Sequence, residues 1–164
     1  MILIYSEREL PDVGLEQVIP TCEARGPRVV PLVGEGDLQC LHSALHSASR
    51  AVVLKTGGRL WAALAREIRH DVEIYVWGAP LRGRGLAPIY PAGEYRGPGV
   101  YYVRERRELV ALRGRRVEGL LLDARGFNAR HVELVLSGKL KCNGGRSSLV
   151  EMLLCDAHLE VDVL

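Results

Sequence analysis

Residues 51–77, AVVLKTGGRLWAALAREIRHDVEIYVW, decide how this chain of 164 residues is read. Ala51 to Leu54 is a continuous apolar run, as expected of a strand buried on both faces. Thr56-Gly57-Gly58 interrupts it, and from about Arg59 to Arg69 the apolar side chains recur at helical spacing. Val72 to Trp77 returns to a strand. Strand, helix and strand at these lengths make a βαβ unit, with parallel strands and a right-handed crossover.

The rhythm extends towards the N-terminus. Ile2 to Tyr5 reads as a strand, about Val13 to Ala24 as a helix, and Arg28 to Val33 as a strand after Gly26 and Pro27. A helix from about Asp37 to Ser49 places Leu38, Leu41, Leu45 and Ala48 on one stripe. Beyond residue 77 the pattern breaks. Residues 78–99 are dense in glycine and proline and predict an irregular loop, a length that usually signals function or disorder. Val100 to Val103 is a strand. Glu105 to Arg113 reads as a helix closed by Gly114, with one arm of a hairpin as the alternative. Val117 to Leu122 is a strand ending at Asp123. Asn128 caps a helix to about Ser137 that Gly138 terminates. Ser148-x-x-Glu151 is a capping box opening a last helix, and His158 to Val163 reads as a closing strand. The expected fold is α/β: a three-layer Rossmann-like or flavodoxin-like sandwich with a mainly parallel sheet, its C-terminal part open to antiparallel pairing. One domain spans residues 1–164.

A hydrophobic fraction of 48% and a charged fraction of 26% are those of a soluble globular chain. No apolar run approaches the roughly 20 residues that span a bilayer. No basic leader precedes an apolar segment at the N-terminus. A cytoplasmic location and no membrane partner are therefore expected. Only two asparagines and two glutamines occur, the usage of a thermophile avoiding labile amides. Cys22, Cys40, Cys142 and Cys155 show neither CxxC pairing nor zinc-ligand spacing. Thiols are favoured, with a Cys142–Cys155 bridge as the thermophile alternative.

The charge is uneven. Nine arginines and no lysine fall between Arg82 and Arg116, against Glu94, Glu105 and Glu108. Tyr90, Tyr95, Tyr101 and Tyr102 lie in the same window. Guanidinium forks grip phosphate, and guanidinium and phenol planes stack on bases. Arg82, Arg84, Tyr90, Arg96, Tyr101, Tyr102, Arg104, Arg106 and Arg107 are thus candidates for a basic, stacking surface. Set against this, Glu105 to Glu108 also fit a solvated face with local ion pairs.

In an open parallel sheet, ligands sit at the carboxyl ends of the strands. That rule selects Ser6 and Glu7, Lys55 to Arg59, Gly78 and Asp123. Two turns look alike there: Lys55, Thr56, Gly57, Gly58 and Arg59 lead from strand to helix, as do Asn143, Gly144, Gly145, Arg146 and Ser147. Paired glycines and free N–H groups at a helix start favour phosphate or carboxylate. Neither turn is a P-loop or a GxGxxG motif, and tight turning explains the glycines equally well. Asp123 is the best-placed carboxylate for acid/base work or a ribose hydroxyl, or it simply forms a turn. His42 and His46 lie four apart on one helix, but a metal would need ligands from elsewhere, and no metal site is expected. Trp61 and Trp77 read as core.

The first expectation is a protein that binds a nucleotide or RNA at the carboxyl edge of its sheet. Phosphates would sit on the two glycine turns, Arg82, Arg84 and Arg96 would close over them, and a tyrosine would stack on a base. The second is an enzyme acting on a small phosphorylated or carboxylated substrate, with Asp123 as acid/base. The third is a homodimeric interaction protein without a small-molecule ligand. No motif names a cofactor.

Overall fold

The computed structural model describes residues 1–138, 140–142, 149–154 and 159–161. Eight strands close into a barrel: β1 (Ile2–Tyr5), β2 (Glu16–Pro20), β3 (Val29–Gly34), β4 (Ala51–Lys55), β5 (Glu73–Trp77), β6 (Leu86–Pro91), β7 (Val100–Val103) and β8 (Gly119–Asp123). Each strand pairs in parallel with its neighbours in the chain, and β1 pairs with β8 to close the ring. This overturns the expected three-layer Rossmann-like or flavodoxin-like sandwich, because a sheet with no edge leaves no second face for another helix layer.

The strands alternate between an interior and an outer face. Leu3, Val18, Val30, Leu32, Ala51, Val53, Tyr75, Ile89, Val100 and Leu121 form one buried cluster that fills the barrel. Burying each aliphatic side chain of this kind contributes about 1.5–3 kcal/mol. The amino end is closed by Tyr75, whose hydroxyl lies 3.1 Å from the Met1 sulfur, and by the Arg50–Glu16 ion pair at 2.8 Å.

Helices cover the outside unevenly. The crossovers after β3 and β4 carry α1 (Leu38–Ser47) and α2 (Arg59–Ile68), which pack on Val33, Val52, Leu54, Ile74 and Val76. A short 3-10 helix (Arg106–Leu112), α3 (Ala129–Leu136) and α4 (Leu149–Leu154) cover Ile4, Tyr101, Val103, Leu120 and Leu122. Segments 6–15, 21–28, 78–85 and 92–99 cross without a helix. After α3, β9 (Leu140–Cys142) pairs antiparallel with β10 (Leu159–Val161).

Several local expectations change. The stretch 13–24 is not a helix but holds β2. Gln17 faces outward there and its side-chain amide pins Leu10 through bonds of 2.8 and 2.9 Å, while Val18 faces inward. The 78–99 loop contains β6, and 105–113 forms the 3-10 helix, with Glu105 and Glu108 making its capping box. Cys22 and Cys40 are disulfide-bonded, against the thiol expectation. The alternative Cys142–Cys155 bridge lies outside the described residues. The bond joins segment 21–28 to the first turn of α1.

Candidate functional site

In a barrel of parallel strands, the last inward-facing residue of each strand lines the carboxyl mouth. Here Tyr5, Lys55, Trp77, Tyr102 and Asp123 hold those places. Their register shows it: Tyr5 pairs with Asp123 across β1 and β8, and Lys55 with Trp77 across β4 and β5. Three half-buried aromatic rings cap the interior. Tyr5 meets Trp77 edge-on at 5.6 Å and Tyr102 edge-on at 6.1 Å, and Trp77 and Tyr102 lie 4.6 Å apart between centroids. The exposed Lys55 ammonium stands 5.4 Å over the Trp77 ring. A cation on an indole face is attracted by the ring quadrupole, which orients it at the rim.

Asp123 is only 2% exposed and is the most heavily bonded carboxylate of the mouth. It accepts from the Tyr102 hydroxyl, from the Arg125 amide at 2.9 Å, and from Arg125 Nε and Nη2 at 3.0 and 2.8 Å. Burial alone raises a carboxyl pKa, but here the bonds from Arg125 and Tyr102 outweigh it and hold Asp123 below the ordinary range. Burial, then the Asp123 carboxylate, pushes the Tyr102 phenol up to about 12. The Tyr5 phenol is also raised, first by burial and then by Glu7. The same bonds fix the planes of the Arg125 guanidinium and the Tyr102 ring, so the geometry is that of a residue orienting both.

Beside this pair opens a cavity of about 240 Å³, lined by Tyr5, Ser6, Glu7, Arg8 and Asp123 to Arg125. Gly126 follows directly on this lining. A Cβ there would lie 1.8 Å from the Arg104 carbonyl oxygen, so only glycine lets the turn after β8 touch the chain after β7.

Set against family models, curated proteins and solved structures, the chain matches none.

The functional reading therefore rests on geometry. The mouth gathers some of the expected residues and disperses others. Lys55, Tyr102 and Asp123 converge. Thr56 and Gly58 are at the rim, but the Glu35 carboxylate occupies their turn. It accepts from the Thr56 hydroxyl at 3.0 Å, and a Cβ on Gly58 would meet it at 3.2 Å. Gly57 is exposed beside them, and Arg59 points away into a groove shared with Arg82. Asn143, Gly144, Gly145, Arg146 and Ser147 lie outside the described residues.

The arginine-rich insertion does not lean over the mouth as a whole. Arg82 bonds Glu118 at 2.6 Å and the Pro98 carbonyl, both just before strands, which puts it at the amino end. Arg84 is exposed in the same crossover, and Arg96 faces Glu94 at 3.9 Å. Tyr90 and Tyr101 pack on the outside of the barrel, and Tyr101 is fully buried, donating to Gly97 O at 2.7 Å. Arg104 and Arg107 flank the mouth but pair with Glu108 and Glu105, and Arg106 reaches the Leu154 carbonyl of α4. His42 and His46 stack on the exposed side of α1.

Sequence reasoning missed Tyr5, Arg8, Trp77 and Arg125. Trp77 reads as core from its apolar neighbours, yet it ends a strand with inward parity, and that position faces the mouth once the sheet is closed. Among the described residues no helix is long and apolar enough to cross a membrane.

Proposed function

We propose that this protein binds a nucleotide or RNA-like anionic ligand at the carboxyl mouth of its barrel, in the cytoplasm. The observation that carries this reading is the cap of Tyr5, Trp77 and Tyr102 with Lys55 held over the indole. Half-buried aromatic rings at a solvent-facing mouth offer a base a surface to stack on, and stacking tolerates any base because every base has a π-face. Lys55, Arg8 and Arg125 supply positive charge around that surface. Arg125 keeps a largely exposed side chain while Asp123 fixes its plane, so less freedom is lost when it meets a phosphate.

The test is titration of the protein with mononucleotides, read by calorimetry, and with end-labelled short single-stranded RNA, read by fluorescence anisotropy, so that the readout does not depend on Trp77. Trp77→Leu should weaken binding by about 1–3 kcal/mol, the worth of one stacked base. Lys55→Gln should weaken it and reduce the slope of log affinity against log salt by about one. If neither variant changes affinity, or if no saturable binding occurs, the mouth is not the site.

A further inference from the structure

The positive charge that the mouth does not use collects at the other end of the barrel. The 3-10 helix carries the chain from the carboxyl to the amino end, and Arg113-Gly114-Arg115-Arg116 follows it, just before β8. Gly114 has φ +69°, so the backbone makes a turn that stands on the surface, and all four residues are exposed. The nearest carboxylate in the chain, Glu118, is already taken by Arg82. Among the described residues, Arg113, Arg115 and Arg116 have no ion-pair partner. Arg104 and Arg107, by contrast, are paired with the local acids Glu108 and Glu105.

The turn is braced from beneath. The Tyr95 hydroxyl donates to the Arg116 carbonyl at 2.8 Å, and the Arg115 guanidinium lies 5.2 Å over the Tyr95 ring. Tyr95 in turn stacks on the buried Tyr101, with centroids 5.8 Å apart and planes 13° off parallel. The guanidinium is therefore presented on a fixed platform with its N–H edges available. The rings themselves are not: Tyr95 is occupied by Tyr101 and Arg115, and Tyr101 has no exposure. Nothing here can stack on an unpaired base. A protein partner would look for apolar anchors at the centre of the patch, and arginines on a glycine turn supply none. What remains is the capacity to hold phosphates in a row.

We infer that the Arg113–Arg116 turn is a second anion surface, which grips the phosphodiester backbone of a nucleic-acid double helix. Strands of four to six residues, at about 3.3 Å per residue, separate it from the mouth by roughly 13–20 Å. The two surfaces are thus separate sites, and this one stands whether or not the mouth binds a nucleotide.

The experiment measures binding of duplex RNA, duplex DNA, single-stranded RNA and an acidic polypeptide by fluorescence anisotropy over a salt series. Three proteins are compared: wild type, Arg113→Gln/Arg115→Gln/Arg116→Gln, and the mouth variant Trp77→Leu/Lys55→Gln. Wild type should prefer either duplex, and the rim variant should lose duplex affinity with its salt slope smaller by about three. The mouth variant should keep duplex binding, so failure of one site does not imitate failure of the other. Because Arg115 also packs on Tyr95, Arg113→Gln/Arg116→Gln is the second variant, with a slope smaller by about two. Unchanged duplex binding in both rim variants, no duplex binding by wild type, or preference for the acidic polypeptide would each overturn the inference.

Discussion

Asp123, Tyr102 and Arg125 share protons and charge in a way that makes stability depend on pH from both directions. Asp123 has a folded pKa below its unfolded value, so its bonds stabilise the protein above the ordinary carboxyl range of about 4 and are lost as pH falls through the folded value. Tyr102 is the reverse case. Its folded pKa is raised to about 12, so the neutral phenol stabilises below the unfolded value of about 10, and that contribution disappears as pH climbs between the two. Tyr102→Phe should therefore remove part of the alkaline loss of stability and leave most of the acid loss in place. Thermal melts against pH, with tyrosinate absorbance followed in parallel, would show it; identical alkaline limbs for both proteins would refute it. Asp123 itself could be picked out in the sequence, because it ends an apolar strand. Its partners could not. Tyr102 reaches it only through the β7–β8 register, and Arg125 only through the tight turn that Gly126 permits.

At the level of elements, helix starts are readable. The helix read from about Asp37 does begin there, and the Asp37 carboxylate, which the sequence pattern does not mark as a cap, accepts from the Cys40 amide at 2.9 Å at the start of α1. Asp37→Ala should cost about 1 kcal/mol in chemical denaturation, whereas no change would mean that the disulfide at Cys40 already holds the turn. Asn128 does the same for α3, accepting from the His131 amide. The strands with continuous apolar runs, β3, β4, β5 and β8, were equally legible. Two strands of the barrel were not. β2 carries apolar residues at 15, 18 and 19, a spacing that imitates a helix when only a few residues are counted. β6 contains Pro88 and Pro91, which cannot donate to a ladder and so argue against a strand in a sheet's interior.

For the molecule as a whole, those two omissions decided the fold. Without β2 and β6 the parallel set is too short to ring a filled interior, and an open sheet becomes the natural solution. Alternating strands and helices fit an open or a closed sheet, so local pattern cannot choose between them. The cysteines were misjudged for a related reason, since Cys22 and Cys40 are brought together only by the packing of segment 21–28 against α1. Their bridge closes a separation of 18 residues, worth about 3 kcal/mol through the unfolded chain. Reduction, or Cys22→Ser/Cys40→Ser, should lower the melting temperature by about 6–12 °C. Equal melting with and without reductant would show that the bridge adds nothing.

Seven of the barrel's eight ladders join strands that follow one another along the chain. The remaining one fastens Ile2 to Leu120 and works like a clasp, its topmost rung being Tyr5 on Asp123. Contacts between such distant segments form late and open early, because the intervening chain must first be ordered. A molecule seated on that rung would hold the clasp shut, and amide hydrogen exchange should then slow in β1 and β8 more than in any other strand.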